Sequence, residues 1–441
     1  MAFSSRAGAK MCYLCVGRCF HAGPLWSRPQ ISVGGSEVKD LFAKCEEFLR
    51  SAGGLSVRDA QLAAELFTDV SPIRNAGPWI ERNGDRILQF SSNDYLGLAM
   101  HPEVRRRAEQ IVHEFGICSP MGSRAMTGTT AEHVALEEQL AAFKRCEAAL
   151  VFSTGSATMM GVLAALGSVK DVWLLDQFAH ASLVCGARIS GATIAAFHHN
   201  DMEHLESLLR RYANRSAVGI VVDGVYSMQG TLAPLPKLVE LKHKYGARLI
   251  VDDAHGTGVM GPQGRGTAAH FGVESEVDLQ LGTFSKAIGT MGGFAAGDRR
   301  VIDYLRFTAP TLLFTKSLPL AVVAATSQAL ELLEAADGAR ERLWANARLL
   351  QGGLRSRRFE IGRTESPITP VEFDGAEALP VARTLRQEHG IWVAPVLFPA
   401  VEQGKSVVRL TPTALHRPED IDRLLDALSM AVCSDLFSFA S

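Results

Sequence analysis

Short apolar runs alternate with helical stretches over the middle of the chain. Six β-rich runs lie between residues 91 and 318, separated by segments with helical spacing. They cover residues 148–152, 172–175, 194–197, 218–222, 249–251 and 279–281. Strands that alternate with helices predict right-handed βαβ units and a mostly parallel sheet with helices on both faces. Residues 91–318 are therefore predicted to form a large α/β domain.

The pattern before this domain is different. Apolar residues recur at helical spacing over residues 37–67, and residues 80–90 alternate apolar and polar positions around Asn83 and Gly84. An Asn-Gly pair between alternating segments is a strong β-hairpin signal. We predict that residues 37–90 form a helical arm followed by a hairpin.

A smaller α+β domain is predicted over residues 319–441. Its long helical run contains one breaker, Gly338, and short strands follow at residues 368–373 and 392–395. A last amphipathic helix is predicted to open at Arg417-Pro418, because proline suits the first turn of a helix.

The totals limit the classes to which the protein can belong. A chain of 441 residues with 47% hydrophobic residues can bury more than one core. The formal net charge of −2 gives no electrostatic reason to expect nucleic acid or an anionic membrane as a partner. The longest apolar runs are far shorter than the roughly 20 residues that span a bilayer, so no transmembrane helix is predicted.

Residues 1–36 form a distinct extension. They contain basic residues but no acidic residue, which is typical of a transit peptide or a disordered start. Cys12, Cys15, Cys19 and His21 have a spacing that resembles a zinc knuckle, but no second ligand pair follows, so we predict no metal site. Most other cysteines lie singly in hydrophobic segments, which favours a reducing compartment. We expect a cytoplasmic protein, with an organelle as the alternative if the extension is a transit peptide.

Ligands of parallel α/β sheets bind beyond the carboxyl ends of the strands, so the residues after each strand are the candidates. Ser153, Thr154, Gly155 and Ser156 follow the first run and open a helix, whose exposed amides and dipole can bind an anion. Small polar residues are also the commonest helix N-caps. This segment alone therefore does not distinguish a phosphate site from an ordinary cap.

Carboxylate, hydroxyl and imidazole groups follow the next strands. His180 comes soon after the second run, Ser227 after the fourth, and Asp252 and His255 after the fifth. A buried carboxylate destabilises the fold unless it is paired, so Asp252 is expected to have a cationic partner. A protonated pyridine nitrogen would be such a partner.

Lys286 follows the sixth run. A lysine amine in a polar, partly desolvated pocket becomes a nucleophile for an aldehyde, although a lysine alone is more often a solvated surface residue. Neighbouring glycines allow the backbone to approach a ligand closely, and Thr283 and Ser285 offer hydroxyls to a phosphate. An amine, a carboxylate and an anion site at one sheet edge together indicate pyridoxal 5′-phosphate (PLP).

The order and spacing of these motifs resemble the fold-type I α-oxoamine synthases, a family of PLP-dependent acyltransferases. The similarity runs from about Ile80 to Leu428. It rests on Ser92-Asn93-Asp94-Tyr95-Leu96-Gly97, Gly122-Ser123-Arg124, Thr127-Gly128-Thr129, Asp252-Asp253-Ala254-His255, Gly282-Thr283-Phe284-Ser285-Lys286 and Arg409-Leu410. The resemblance implies a PLP-dependent transferase fold with a smaller C-terminal domain.

The resemblance also implies a role for each matching residue. Lys286 would carry PLP as a Schiff base and move a proton, and Asp252 would pair with the pyridine nitrogen. The ring of His180 would stack on PLP, and His255 and Ser227 would contact its hydroxyl side. Lys286, His180, Asp252 and His255 are thus the expected catalytic residues.

The remaining implied contacts hold the phosphate and the substrate. They are Ser153, Thr154, Gly155, Ser156, Thr283, Ser285 and, from a second subunit, Thr315 for the phosphate, and Asn93 and Arg409 for the amino acid. Because Thr315 would be lent across an interface, a homodimer with shared sites is expected. An arginine can hold a carboxylate in bidentate geometry, although Arg409 alone would also fit a surface salt bridge.

The implied reaction joins an amino acid to an acyl thioester with loss of carbon dioxide. Residues 226–228, 341–348 and 398–401 look most like bacterial serine palmitoyltransferases, whereas residues 253–259 and 420–425 look as much like 8-amino-7-oxononanoate synthases. We expect serine and a long-chain acyl-CoA, as in sphingolipid base synthesis, with alanine and a pimeloyl thioester as the alternative. The sequence does not decide between CoA and a carrier protein as the donor.

Three segments depart from the family pattern on the substrate side. Ala309-Pro310-Thr311 stands where most members have an arginine, Ser156-Ala157-Thr158-Met159 replaces an aromatic-x-Ala-Asn segment, and Gln229 replaces an acidic residue. A catalytically silent subunit of a heterodimer is the alternative from another class. Such subunits typically lack the lysine, so Lys286 favours an active enzyme.

Overall fold

A computed structural model describes residues 42, 77–82, 84–215, 217–398 and 400–438. The 1–36 extension with its four zinc-knuckle candidates lies outside these residues, as does the predicted helical arm except Phe42. Within the described ranges, no helix combines the length and apolarity that a membrane span needs.

The described strands follow the chain from the hairpin to the C-terminal domain. They are β1 (Trp79–Arg82), β2 (Asp85–Gln89), β3 (Ala148–Phe152), β4 (Val172–Asp176), β5 (Thr193–Phe197), β6 (Val218–Asp223), β7 (Arg248–Asp252), β8 (Leu279–Thr283), β9 (Gly293–Gly297), β10 (Thr369–Asp374), β11 (Ile391–Trp392), β12 (Ala394–Val396) and β13 (Lys405–Leu410).

The described helices connect and cover these strands. They are α1 (Pro102–Phe115), α2 (Ala131–Phe143), α3 (Gly155–Leu166), α4 (Ala181–Ile189), α5 (Met202–Arg211), α6 (Leu235–Tyr245), α7 (Thr267–His270), α8 (Arg299–Thr308), α9 (Pro310–Leu313), α10 (Leu320–Glu334), α11 (Asp337–Ser356), α12 (Ala378–His389) and α13 (Pro418–Ser438). The predicted opening of the last helix at Arg417-Pro418 is confirmed.

Seven strands form the central sheet, in the order β3-β9-β8-β7-β6-β4-β5. All neighbours from β8 to β5 are parallel, and β9 is antiparallel to both β3 and β8. The six predicted strands are all present. The pattern does not predict β9, because its sequence Gly-Phe-Ala-Ala-Gly contains no β-branched residue and glycine usually weakens a strand.

Alternate side chains of the sheet enter different apolar clusters. Val221 and Ile250 pack with residues of α3 and α4, whereas Val222 and Val251 pack with residues of α5 and α6. These strands are buried on both faces, which explains why they appear in the sequence as continuous apolar runs. The predicted α/β fold with a covered parallel sheet is confirmed.

The predicted hairpin joins the C-terminal part of the chain. Strands β1 and β2 pair antiparallel, and β2 also pairs in parallel with β11, where Leu88 lies opposite Ile391. Leu88 and Phe90 are fully buried in one apolar cluster with residues of α11, α12 and α13. A second small sheet, β10-β13-β12, completes this region.

The predicted long helix after Pro319 is two helices, and the predicted breaker is wrong. The chain leaves helical geometry at Ala335 and Ala336, and Gly338 lies inside α11. Arg340 Nη1 donates a hydrogen bond to Leu333 O at 2.6 Å. This side chain binds a carbonyl at the end of α10, which also accepts a hydrogen bond from the amide of Ala336 at 3.1 Å.

A buried ion pair fixes the loop after β7. Lys144 follows α2 and is fully buried, with its Nζ 2.9 Å from Asp253 Oδ2. The other carboxylate oxygen of Asp253 accepts hydrogen bonds from the amide and hydroxyl of Thr267, at 3.0 and 2.6 Å. The cationic side chain therefore pairs with Asp253, and the neighbouring Asp252 has no cationic partner among the residues that the structure describes.

We expect Lys144→Met to lower the free energy of unfolding by about 3–5 kcal/mol, because it leaves the Asp253 carboxylate buried and unpaired. Urea denaturation measures the loss. Lys237→Met is the control, since the Lys237–Glu240 pair is exposed and its removal should cost no more than about 1 kcal/mol. A loss at Lys144 as small as the control would contradict the stabilising role of the buried pair.

Candidate active site

A cavity of about 290 Å³ opens at the carboxyl ends of the central strands. Ten of the fourteen predicted site residues line it: Thr154, Gly155, Ser156, His180, Ser227, Asp252, His255, Thr283, Ser285 and Lys286. The other lining residues are Met159, Ser182, Asp223, Val225, Ala254, Met291 and Gly292. The parallel topology thus brings distant segments to one edge of the sheet.

The N-terminus of α3 forms one wall. Thr154 is its N-cap, and its side chain accepts a hydrogen bond from the amide of Ala157 at 3.0 Å. Gly155 approaches β8 closely, since a Cβ atom at this position would lie 2.7 Å from Cβ of Thr283. The first amides of a helix have no acceptor within the helix, so they and the helix dipole provide an anion site here.

Two hydroxyls follow β8 on the opposite wall. The Thr283 hydroxyl donates to Gly292 O at 3.0 Å and lies 2.8 Å from Ser285 Oγ. It also accepts a hydrogen bond from the amide of Ser285 at 3.2 Å. Because the Thr283 proton goes to Gly292 O, Ser285 is the donor in the contact between the two hydroxyls, and its exposed hydroxyl can turn this proton to an anion instead.

Two carboxyl groups lie at the ends of adjacent strands. Asp223 ends β6 and Asp252 ends β7, and they are directly opposite each other in the parallel register. Asp252 accepts a hydrogen bond from the amide of Ala254 at 3.0 Å, and Asp223 accepts one from the amide of His180 at 3.1 Å. Burial raises the pKa of Asp252 to about 7. Burial and the nearby Asp252 raise the pKa of Asp223 well above its ordinary value.

Lys286 follows the end of β8 and is partly buried in the cavity. Burial lowers the pKa of its ammonium group, while the charges of Asp252 and Asp223 act in the opposite direction and Arg409 adds to the lowering. A lowered pKa increases the fraction of neutral amine at neutral pH, and the neutral amine is the nucleophile.

His255 is held in one tautomer. The Tyr95 hydroxyl lies 2.7 Å from His255 Nδ1, and burial raises the pKa of Tyr95 to about 12, so the phenol is the donor. Burial lowers the pKa of His255 well below its usual range, so the ring is neutral. A neutral imidazole that accepts at Nδ1 carries its proton on Nε2.

The four predicted residues that do not line the cavity are Ser153, Thr315, Asn93 and Arg409. Arg409 lies on β13, which the sequence pattern does not predict, and is buried beside the cavity. Its Nε donates to Ser227 O at 2.7 Å and its Nη2 to Asn93 Oδ1 at 3.2 Å. Asn93 and Arg409 thus lie together, and Ser227 connects them to the cavity wall.

The segment that replaces the family arginine faces away from the cavity. Ala309 and Leu312 are buried in an apolar cluster, and the Thr311 hydroxyl donates to Ala157 O at 2.5 Å. Among the residues that line the cavity, Lys286 is the single lysine or arginine. A second cation for the substrate is therefore absent from the described lining.

Sequence reasoning passed over three residues of the site. Asp223 directly follows the predicted strand at residues 218–222, and its position opposite Asp252 is the signal that would have found it. The Ser182 hydroxyl lies 2.7 Å from His180 Nδ1, and a serine two residues after a helix N-cap is the signal that would have found it. Tyr95 gave no such signal, because its contact with His255 joins positions far apart in the chain.

The cavity wall complements a small ligand with three functional parts. The α3 N-terminus receives an anion, the Lys286 amine can attack a carbonyl, and Asp252 forms no ion pair within the described residues and so can receive a cation. PLP has a phosphate, an aldehyde and a ring nitrogen that can be protonated. The residues present therefore fit PLP.

Comparison with known proteins identifies the family. Residues 85–428 match the family "Aminotransferase class I and II". The chain is 41% identical over 360 residues to cysteate-C-fatty acyltransferase from Capnocytophaga ochracea, which covers 80% of this chain and 86% of that protein. It is 44% identical over 348 residues to 8-amino-7-oxononanoate synthase from Exiguobacterium sibiricum, covering 78% and 88%.

A solved structure gives the same assignment. Serine palmitoyltransferase from S. paucimobilis, which contains PLP bound with myriocin, superposes with a TM-score of 0.82 at 31% identity and covers 90% of this chain and 99% of that chain. Its similarity extends over the large domain and the small one. The chain therefore belongs to the aminotransferase class I and II family and, within it, to the PLP-dependent α-oxoamine synthases, which are C-acyltransferases.

Proposed function

We propose that this enzyme condenses serine with a long-chain acyl-CoA and releases carbon dioxide, as the first step towards a sphingolipid base. The observation that carries the proposal is the cavity itself. It places a partly buried amine, two buried carboxyl groups and a helix N-terminus around one space and supplies no second cation for a charged acyl chain.

Different residues of the chain would bind different parts of PLP. The N-terminus of α3 with Ser285 would hold the phosphate, Asp252 the ring nitrogen, and Lys286 the aldehyde carbon covalently. His180 would stack on the ring. When bound, PLP supplies an electron sink that stabilises negative charge on the α-carbon of the amino acid.

The residues around the ring would each hold or move one proton. Asp252 favours a protonated ring nitrogen, because a cation relieves the burial of its carboxylate. His255 presents its Nε2–H as a donor to the ring hydroxyl side, together with Ser227. The Lys286 amine lines the same cavity and would serve as the base for the amino acid's α-carbon, and its lowered pKa suits this role.

Arg409 would bind the carboxylate of the amino acid. It is buried and fixed by Ser227 O and Asn93, so its position is set before the substrate arrives. A guanidinium held in this way can orient the carboxylate for proton removal and then for loss of carbon dioxide.

An apolar acyl chain fits this lining better than a dicarboxylic one. Met159 and Met291 are the apolar long side chains of the cavity, and Met291 is largely exposed at its edge. A pimeloyl chain would bring a terminal carboxylate, which needs a cation or solvent. The 8-amino-7-oxononanoate synthase reaction, with alanine and a pimeloyl thioester, stays the second candidate because of the 44% identical relative.

A catalytically silent subunit remains the alternative from another class. It would have no need of a partly desolvated amine that faces buried carboxyl groups, whereas an active enzyme needs both. The geometry therefore favours activity.

A homodimer is also proposed, and exposed apolar side chains support it. Ile117, Met121, Met126 and Phe314 are each more than 70% exposed. They lie on two segments joined by backbone hydrogen bonds, Ser317 N to Gly122 O at 3.1 Å and Leu320 N to Ser119 O at 2.8 Å. An apolar face of this kind usually marks a contact between proteins, and Thr315 adjoins it.

We propose a cytoplasmic location. An organelle is the alternative if residues 1–36 are a transit peptide. In the part of the chain that the structure describes, Cys118, Cys146, Cys185 and Cys433 are free thiols. Free cysteines, several of them exposed, suit a reducing compartment.

Lys286 should react faster than surface lysines with a small aldehyde at neutral pH, because its lowered pKa leaves more neutral amine. Limiting reductive methylation of the PLP-free full chain, followed by peptide mass spectrometry, measures the rates. Lys237 is the internal control because its side chain is exposed. If Lys286 is methylated no faster than Lys237, the proposed activation of the amine is wrong.

Carbon dioxide release should require both an amino acid and an acyl thioester, and serine with palmitoyl-CoA should exceed alanine with pimeloyl-CoA by about tenfold or more in kcat/KM. Lys286→Ala should abolish release, and Lys237→Ala should not change it. The assay should include glycine and cysteate as competing amino acids. A preference for alanine and pimeloyl-CoA would replace the proposal with the second candidate, and no release with any pair would favour the silent subunit.

The wild-type protein should sediment as a dimer, and Phe314→Asp should shift it towards the monomer, because a charge on the apolar face must be desolvated in the interface. Analytical ultracentrifugation measures both. Val169→Asp is a matched control, since Val169 is equally exposed outside this face. A monomeric wild-type protein would refute the shared-site proposal.

A further inference from the structure

Acidic residues end three neighbouring strands, and two of them, Asp223 and Asp252, share the cavity with the Lys286 amine. The strand order β8-β7-β6-β4 places the residues after these strands in the spatial order Lys286, Asp252, Asp223, Asp176. Asp252 therefore ends the strand next to β8, and Lys286 follows β8. Asp223 is one strand farther from Lys286. The register pairs Leu175 with Val221, so Asp176 is level with Val222 and points to the other face of the sheet.

The outer carboxyl group of this row has its own donors. Asp176 is fully buried and lies 3.0 Å from His199 Nδ1, and it accepts hydrogen bonds from the amides of Phe178 and Asn200 at 2.9 and 3.0 Å. Several donors around one group are the pattern of a carboxylate that is not a proton donor. Asp176 thus has its own hydrogen-bond donors and is not among the residues that line the cavity.

Asp223 and Asp252 have far fewer partners. Each is 4% exposed, each accepts one backbone amide, and within the described residues neither forms an ion pair. Both face the same cavity, in which Lys286 is the single lysine or arginine among the lining residues. Two buried carboxyl groups that share one cation cannot both ionise without a large cost, so one of them keeps its proton.

We infer that Asp223 is a neutral carboxylic acid and Asp252 the ionised carboxylate, so that one negative charge, not two, faces the ring nitrogen of the cofactor. The inference deepens the proposed function and rests on it only for the identity of the cofactor. Asp223 then acts as a positioning residue, because it fixes the backbone of His180 without competing with Asp252 for the cation.

The electrostatic environment agrees with this order. Burial, followed by the charge of Asp252, raises the pKa of Asp223. The amide of His180 acts against this, Asp176 raises the pKa further, and Lys286 is the weakest of the influences. For Asp252, the amide of Ala254 and the charge of Lys286 act against burial. The proton therefore belongs to Asp223, whose strand is one farther from the strand that Lys286 follows. Tyr226, whose own pKa is raised by burial, is the other ionisable group packed against it.

Asn is a neutral isostere of a protonated aspartate, so Asp223→Asn and Asp252→Asn separate the two roles. With PLP and both substrates, Asp223→Asn should lower kcat by no more than about tenfold, whereas Asp252→Asn should lower it by at least about 100-fold. Equal losses in the two variants would overturn the inference.

Two readouts do not depend on acyl transfer. Infrared difference spectra of the full chain at neutral pH, wild type minus Asp223→Asn, should show the carbonyl stretch of a protonated carboxylic acid that shifts in D₂O. Its absence would overturn the inference. If Asp223→Asn folds poorly, Asp223→Ser replaces it in the difference spectrum. The D₂O shift of the wild-type carbonyl band then decides whether Asp223 is protonated.

Thermal stability gives the second readout. A carboxyl group whose folded pKa is raised binds its proton more tightly in the folded chain, so its stabilising effect is present at low pH and lost as pH rises. Asn does not titrate, so the Tm of Asp223→Asn relative to the wild type should rise by at least about 2 °C between about pH 5 and about pH 8. A flat difference would contradict the protonated state. Were both readouts positive without any carbon dioxide release, the proposed function would fail and this inference would stand.

Discussion

The site depends on the way parallel strands end. Because their carboxyl ends meet at one edge, the acidic residues that close β4, β6 and β7 are buried near that edge of the sheet. Each negative charge must be balanced there by hydrogen bonds, by a proton or by a cation from outside. Asp176 has hydrogen bonds, whereas Asp252 has no side-chain partner in the part of the chain that the structure describes. This shortage of positive charge gives the cavity its affinity for a cationic ring.

In the neighbouring Lys144–Asp253 pair, the buried negative charge is balanced by a cation from within the protein. Its charges are matched within the protein and surrounded by donors, so it stabilises the loop but offers nothing to a ligand. Adjacent residues of one motif, Asp252 and Asp253, thus have opposite roles. The difference comes from the position of a lysine more than 100 residues earlier, not from the motif itself.

Local sequence predicted the strands, the hairpin and most of the residues around the cavity. Runs such as residues 148–152 are apolar enough to be found alone, and strand-end chemistry follows from topology. Strand β9 and the helix break at Ala335 were not found, because they depend on packing against β3 and β8 and on capping by Arg340. The approach of Arg409 to Ser227 is a contact between distant segments, and no local pattern encodes it.

The β1–β2 hairpin, near the start of the described chain, is completed by residues from the C-terminal region. Trp79 Nε1 donates to Asp420 at 3.1 Å, across 341 positions, and β2 receives β11 from the C-terminal region. During synthesis, the side chains of Leu88 and Phe90 are therefore covered only after nearly the whole polypeptide has left the ribosome. Such late closure makes folding slow and leaves the nascent chain open to aggregation, so this protein should depend strongly on chaperones during its production.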